Sequence, residues 1–199
     1  MDINMTRIYL ASRSPRRAEL LHQIGVAFVI IPSDIDESVY NAELAEDYVL
    51  RLARGKAQSC CARLPALDMP VLAADTTVCV DGKILGKPES DTEACAMLAS
   101  MSGRWHEVHT AIAVASRDGT EVALSTTRVK MAALSRDVIA AYVSTGEPRD
   151  KAGAYGIQGL GGTLIERIEG SYSGVMGLPL FETAKLLRNC GVAIPGTQD

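Results

Sequence analysis

No apolar run in this chain approaches the roughly 18 residues that a membrane-spanning helix needs. The start, MDINMTRIYLAS, has only a short apolar stretch and lacks the layout of a secretory signal. A cytoplasmic protein with no membrane partner is expected from both. The five cysteines, Cys60, Cys61, Cys79, Cys95 and Cys190, are odd in number and show no C-x-x-C spacing. Reduced, mostly buried thiols are therefore expected rather than disulfides or a zinc site. A basic excess is missing too: 20 Lys and Arg against 24 Asp and Glu leave a formal charge of -4. No stable nucleic-acid binding is expected from such a surface, and any site for a polyanion must be a local concentration of cations. Internal repeats and low-complexity segments are also absent.

What is present is an ordinary globular composition, 47% hydrophobic and 22% charged over 199 residues. That length fits one domain, or two small lobes sharing a sheet, with a sizeable core. Ile8–Ala11 reads as a short buried strand, followed by a helix from Pro15 to about Ile24 that Gly25 can end. Val26–Ile31 is a second strand, and Leu44, Tyr48, Val49, Leu52 and Ala53 give helical spacing over Asn41 to about Leu64. Val71–Val80 is a β-branched run, and Asp81-Gly82 marks a hairpin because both residues tolerate positive φ. Ser90-x-x-Glu93 opens a helix that Gly103 closes. Strands over about Trp105–Ala115 and Glu121–Leu134 flank a turn at Arg117–Gly119. Ser135 caps a helix up to Thr145-Gly146. A glycine-rich loop, a strand near Leu164–Ile168 and a helix from Pro179 to about Asn189 follow. Helices mixed with hairpins predict an α/β fold with a mixed sheet.

Three places break the pattern. Ser14 and Pro15 suit the start of a helix, but Arg16 and Arg17 add charge where the helix dipole is already positive, at a cost of about 0.3–1 kcal/mol each. Either the amides, serine hydroxyls and guanidiniums form an anion site, with phosphate the natural ligand, or the arginines splay into water. Lys56 lies on the apolar stripe of its helix, so it either snorkels to the surface or points into a polar cleft. Asp75 interrupts a buried-strand sequence, where a carboxylate is costly unless paired, hydrogen-bonded or metal-bound. It either acts as an acid or base at a strand end opening into a cleft, or caps that strand end. The acidic run Asp34-Ile35-Asp36-Glu37 reads by itself as solvated surface.

Other motifs fail on inspection. Gly82–Pro88 is one residue short of a Walker loop, and Pro88 stands where a magnesium-binding Ser or Thr belongs, although Lys87 could still reach phosphate. Gly156–Gly162 does not spell G-x-G-x-x-G. His106 and His109, three apart on a strand, would face opposite ways and make a zinc site improbable.

Taken in order along the chain, these features resemble the Maf family of nucleotide pyrophosphatases. The match runs through Ser12-x-Ser14-Pro15-Arg16-Arg17, Asp36-Glu37, Ala53-x-x-Lys56-Ala57, Ala74-Asp75-Thr76, Gly86-Lys87-Pro88 and Ser102-Gly103-Arg104-x-His106-x-Val108-x-Thr110. It ends in Gly146-Glu147-Pro148-x-Asp150 through Gly159 and in Gly177-Leu178-Pro179. The resemblance implies a single domain over 7–194 with variable termini at 1–6 and 195–199. It implies an elongated α/β fold related to house-cleaning inosine triphosphatases, with two lobes around a cleft, and a possible homodimer. It also implies hydrolysis of a nucleoside triphosphate to the monophosphate and pyrophosphate with a divalent cation, Mg²⁺ or Mn²⁺.

Carried over by position, Asp75 matches the general base. Ser12, Ser14, Arg16, Arg17, Lys56 and Lys87 match phosphate-contacting positions, and Glu37, with Asp75, matches a metal-binding one. Arg16, Thr76 and Gln158 match the selectivity positions of a dTTP/UTP-preferring branch. Gln158 offers the donor and acceptor that a uracil or thymine edge complements. A second reading from the same resemblance is a nucleotide- or nucleic-acid-binding regulator of septum formation without essential turnover. A third keeps the enzyme but makes a modified nucleotide its true substrate.

Overall fold

The computed structural model describes residues 7–196, and the long strand β3 (Val71–Val80) organises it. Its first two residues pair in parallel with β1 (Arg7–Leu10), and its last three pair antiparallel with β4 (Lys83–Leu85). Along its other edge it runs antiparallel to β5 (Trp105–Ser116) over its whole length up to Cys79. From there the sheet continues through β6 (Gly119–Met131) to β7 (Ile165–Glu169), while β2 (Ala27–Ile30) forms the far parallel edge beside β1. The order β2-β1-β3-β5-β6-β7 is the expected mixed α/β sheet.

Period-2 alternation divides β3 between two faces, and both are covered, which is why the strand reads as nearly continuous apolar sequence. On one face α2 (Ala45–Ala62) lays Val49, Ala53, Ala57 and Cys60 onto Ala73, Ala111 and Ala113. Leu20 and Leu21 of α1 (Pro15–Gln23) and Leu186 and Leu187 of α6 (Leu180–Asn189) cover Leu72, Ala74, Ile112 and Val114 on the other. Further along that same face, Val78, Val80 and Val108 pack against α3 (Asp91–Met101) and α4 (Arg136–Ser144) through Leu98, Met101 and Tyr142. Two apolar clusters thus share one sheet face at its two ends. Between them, from Ala73 to Thr77, the free edge of β3 has neither β1 nor β4 beside it.

Local signals explain most boundaries. Asp81 (φ 50°) and Gly82 (φ 76°) make the left-handed turn of the β3–β4 hairpin. Ser90 and Ser135 accept the Glu93 and Val138 amides, at 3.1 and 3.3 Å, as helix caps. The cysteines are all free. Among the described residues no helix is long and apolar enough to cross a membrane.

Three stretches differ from the sequence expectation. Helix α2 begins at Ala45 rather than Asn41, because Arg51 folds the preceding residues back on the helix. It bonds Glu43 at 2.6 and 2.7 Å and the Ser38 carbonyl at 2.9 Å, and it stacks 3.8 Å from the Tyr40 ring centroid. Strand β6 ends at Met131, where its pairing with β7 shifts register. The glycine-rich region folds as 3-10 turns at Glu147–Asp150, Ala152–Ala154 and Gly159–Leu164, and a one-turn helix α5 (Tyr172–Met176) follows β7. Such pieces are too short for hydrophobic periodicity to show. Residues 1–6 and 197–199 of the expected variable termini lie outside the described residues.

Leu98 is fully buried in the cluster under α3 and α4. Leu98→Ala is expected to cost about 2–5 kcal/mol, read as a lower urea midpoint at unchanged slope.

Candidate phosphate-binding cleft

A cleft of about 960 Å³ opens at the free edge of β3. Its walls are the turn into α1, the loop around Glu37, residues 75–78 of β3 and the segment 147–159. Because the edge is open there, side chains from both faces of β3 reach it. Asp75 comes from the α2 face and Thr76 from the α1 face.

Asp75 lies in mid-strand, paired with Ala111, and not at a strand end as expected. It is 6% exposed, and Lys56, reaching from α2, is 8% exposed. The Lys56 ammonium donates to Asp75 Oδ1 at 2.6 Å and lies 2.8 Å from Glu37 Oε1. Lys56 therefore points into the cleft and does not snorkel. A buried carboxylate needs such a partner, since stripping its hydration costs several kcal/mol. Burial drives the Asp75 carboxyl above the usual carboxylate range, while Lys56 and Arg17 pull the other way. Asp75 Oδ2 receives no hydrogen bond from the described residues, so the strand presents an oxygen to the cleft that can accept a proton.

Of the acidic run, only Glu37 joins this group. Asp36 Oδ1 accepts the Ser38 amide at 2.8 Å and closes its own loop. The Glu37 carbonyl is held by the Tyr48 hydroxyl at 3.0 Å. Burial, then the charges of Asp75 and Glu37, push the Tyr48 phenol up to about 12, so it remains a donor.

At the α1 start, Ser14 occupies the N-cap position, yet its hydroxyl makes no capping bond, and no acidic residue sits in the first turn. Ser12 Oγ instead accepts the Ser14 amide at 3.1 Å and an Arg17 nitrogen at 3.2 Å. Arg17 does not splay into water: it donates to the Gly177 carbonyl at 2.8 Å and to Thr76 Oγ1 at 3.3 Å. Thr76 Oγ1 in turn donates to Thr110 Oγ1, 2.9 Å away, and Thr110 donates to the Gly174 carbonyl at 2.8 Å. The result is a rigid, positively charged helix start with uncapped amides, the arrangement that binds anions.

Arg16 crosses the cleft to Asp150, 3.0 Å away, and Asp150 also holds Lys151 at 2.6 Å. Lys87 and Gln158 also line the cleft, and neither side chain makes a hydrogen bond to the described residues. All the residues singled out from sequence (Ser12, Ser14, Arg16, Arg17, Glu37, Lys56, Asp75, Thr76, Lys87 and Gln158) thus border one cavity. The sequence gives no site role to Tyr48, Glu147 or Asp150, although the last two fall within a quoted motif. Tyr48 was assigned to a helix stripe, whereas Glu147 and Asp150 sit in a charged, glycine-flanked stretch with no periodicity to give them a direction.

His106 and His109 do face opposite ways. His106 Nε2 lies 2.7 Å from the Tyr155 hydroxyl, and His109 Nδ1 lies 3.0 Å from Thr126 Oγ1. Among the described residues no three His, Cys, Asp or Glu side chains cluster as metal ligands. Glu37 and Asp75 nonetheless offer two hard oxygen donors around a point already occupied by positive charge, the Lys56 ammonium. Because Lys56 already pairs with one oxygen of each, a divalent cation would have to take their other oxygens and complete its shell from outside the protein.

A mixed α/β sheet whose cleft brings a cation-rich helix start and a buried carboxylate together is suited to an anionic ligand. The chain belongs to the Maf family: the family model described as Maf-like protein matches residues 7–190. It is 54% identical over 198 residues to a protein of Bordetella avium named dTTP/UTP pyrophosphatase, covering 95% of this chain and 98% of that one. A Hahella chejuensis protein of the same name is 51% identical over 189 residues, 94% of each chain. Among solved structures, the Staphylococcus aureus Ham1 protein is similar over 63% of this chain and 71% of its own, at 17% identity and a TM-score of 0.45.

Burial lowers the His106 pKa to about 4, so folding excludes its proton. The stability this provides is complete above the unfolded value near 6.5 and is lost as pH falls toward 4. Between pH 7 and pH 5 the unfolding free energy is expected to drop by about 2 kcal/mol, and His106→Gln should flatten that slope in urea titrations.

Proposed function

We propose that this protein hydrolyses nucleoside triphosphates, dTTP and UTP among them, to the monophosphate and pyrophosphate. The observation that carries this is Asp75, a buried, ammonium-paired carboxylate that lines the same cleft as the anion cradle of α1. In this reading a water attacks the α-phosphorus while Asp75 accepts its proton. The bond from that phosphorus to the bridging oxygen breaks, and pyrophosphate leaves. Arg17, the α1 amides, Ser12 and Ser14 hold the phosphates in place, and Lys56, Lys87 and Arg16 offset charge on the leaving group. Glu37 and Asp75 would hold a divalent cation, Mg²⁺ or Mn²⁺, which supplies further charge neutralisation. Gln158 and Thr76 select the base. A cytoplasmic house-cleaning role, removing surplus or modified pyrimidine triphosphates, fits that specificity.

Asp75→Asn should lower pyrophosphate release by about 10²–10⁴-fold while nucleotide binding persists. Wild-type turnover in that variant would remove Asp75 from the mechanism. Gln158→Glu should reduce activity on dTTP and UTP more than on guanine nucleotides, and equal loss across a metal-supplemented panel of canonical and modified triphosphates would contradict base reading by Gln158.

A further inference from the structure

The Gln158 side chain makes no hydrogen bond to the described residues, so only its backbone sets where the amide sits in the cleft. That backbone belongs to the stretch 156–162, which has no sheet ladder and is rich in glycine, the residue that loses most freedom on ordering. Something must hold it, and two side chains outside it do. Glu147 Oε1 accepts the Gly161 amide at 2.9 Å, and Glu147 Oε2 accepts the Leu160 amide at 3.0 Å. The Tyr142 hydroxyl donates to Glu147 Oε1 at 2.9 Å and accepts the Gly156 amide at 3.3 Å. One carboxylate and one phenol thereby tie down both ends of the loop, with Gln158 between them.

The loop is drawn tightly onto this anchor. A Cβ at Gly161 would lie 2.2 Å from the Gly156 carbonyl oxygen and 2.6 Å from the Tyr142 hydroxyl, and one at Gly159 would lie 2.8 Å from Glu147 Oε2. The carboxylate is held ionised. Burial pushes it up, but the Gly161 amide, the Tyr142 hydroxyl and the Leu160 amide together keep it below the usual range. Three hydrogen bonds to one anion are of the strong, charge-assisted kind. Lys151 fastens the anchor from behind, donating to the Glu147 carbonyl at 2.6 Å.

We propose that Glu147, with Tyr142, is a positioning residue for base selection: it fixes the loop that presents Gln158 to the nucleobase. This rests on the reading that Gln158 reads the base. Glu147→Gln puts an amide nitrogen where an acceptor stood, so whichever way the amide turns, at least one loop N–H faces a donor. Tyr142→Phe loosens the Gly156 end while leaving the carboxylate in place.

Steady-state kinetics of purified, folded variants on dTTP and dGTP test the proposal, with Gln158→Ala alongside. In Glu147→Gln the KM for dTTP should rise about tenfold, the equivalent of about 1.4 kcal/mol, while kcat falls less than about threefold. The preference for dTTP over dGTP should shrink by a similar factor. Tyr142→Phe should shift both in the same direction by a smaller factor, and Glu147→Asp, which keeps the charge, should recover part of the loss. A purely structural role would instead lower kcat on both substrates equally with KM unchanged, and that result overturns the proposal. If Gln158→Ala loses selectivity but Glu147→Gln keeps it, the positioning role falls while base reading stands. If Gln158→Ala keeps selectivity, base reading fails and the proposal fails with it.

Discussion

The ion pair between Lys56 and Asp75 is the constraint around which the rest of the cleft is arranged. Both side chains are buried, and a carboxylate and an ammonium in that setting each forfeit hydration worth several kcal/mol. The 2.6 Å contact offsets that loss only while α2 is packed tightly against β3. The alanine-lined interface provides the tight packing, as Ala53, Ala57, Ala73, Ala111 and Ala113 leave little bulk between helix and sheet. Glu37 closes the group from its loop, and that loop is fastened in turn by Tyr48 and by Arg51, which clamps Glu43 and the Ser38 carbonyl. A chain of structural contacts running from Glu43 through Arg51 and Tyr48 thus ends at the charged centre.

The same economy operates across the cleft. Arg17 could have been a repelled cation at a positive helix end. It is instead locked between Ser12, Thr76 and the Gly177 carbonyl, so its charge is fixed in space before any ligand arrives. Preorganised charge of this sort costs no reorganisation when an anion binds, which is the basis of electrostatic stabilisation in enzymes. On the opposite wall the segment 147–151 looks both ways: Glu147 grips the loop of Gln158, and Asp150 reaches Arg16. The two ends of the cleft are therefore connected through a stretch only a few residues long.

The legibility of these features in the sequence varied with their range. Strands β3, β5 and β6 and the helices bearing Leu20, Val49 and Leu98 follow from hydrophobic periodicity and capping, which are local. Boundaries failed where a distant side chain intervened, as when Arg51 pulled the residues before Ala45 out of the helix. The 3-10 turns around Glu147 and Gly159 had no periodic signature and were seen only as a glycine-rich loop.

For the site, the sequence by itself determined which residues were out of place: two arginines at a positive helix end, a lysine on an apolar stripe and an aspartate in a buried strand. Each is a local contradiction that a single chain segment displays. Where those side chains point was left open: whether the arginines splay into water, whether the lysine snorkels to the surface and whether the aspartate caps a strand end. Only the tertiary structure decided, because the answer depends on the gap between β1 and β4 along β3. Pairing of strands remote in sequence leaves that edge free and lets α1, α2 and the Gln158 loop converge on it. Local propensity encodes which groups are costly to bury, and only long-range packing supplies the partners that make burying them possible.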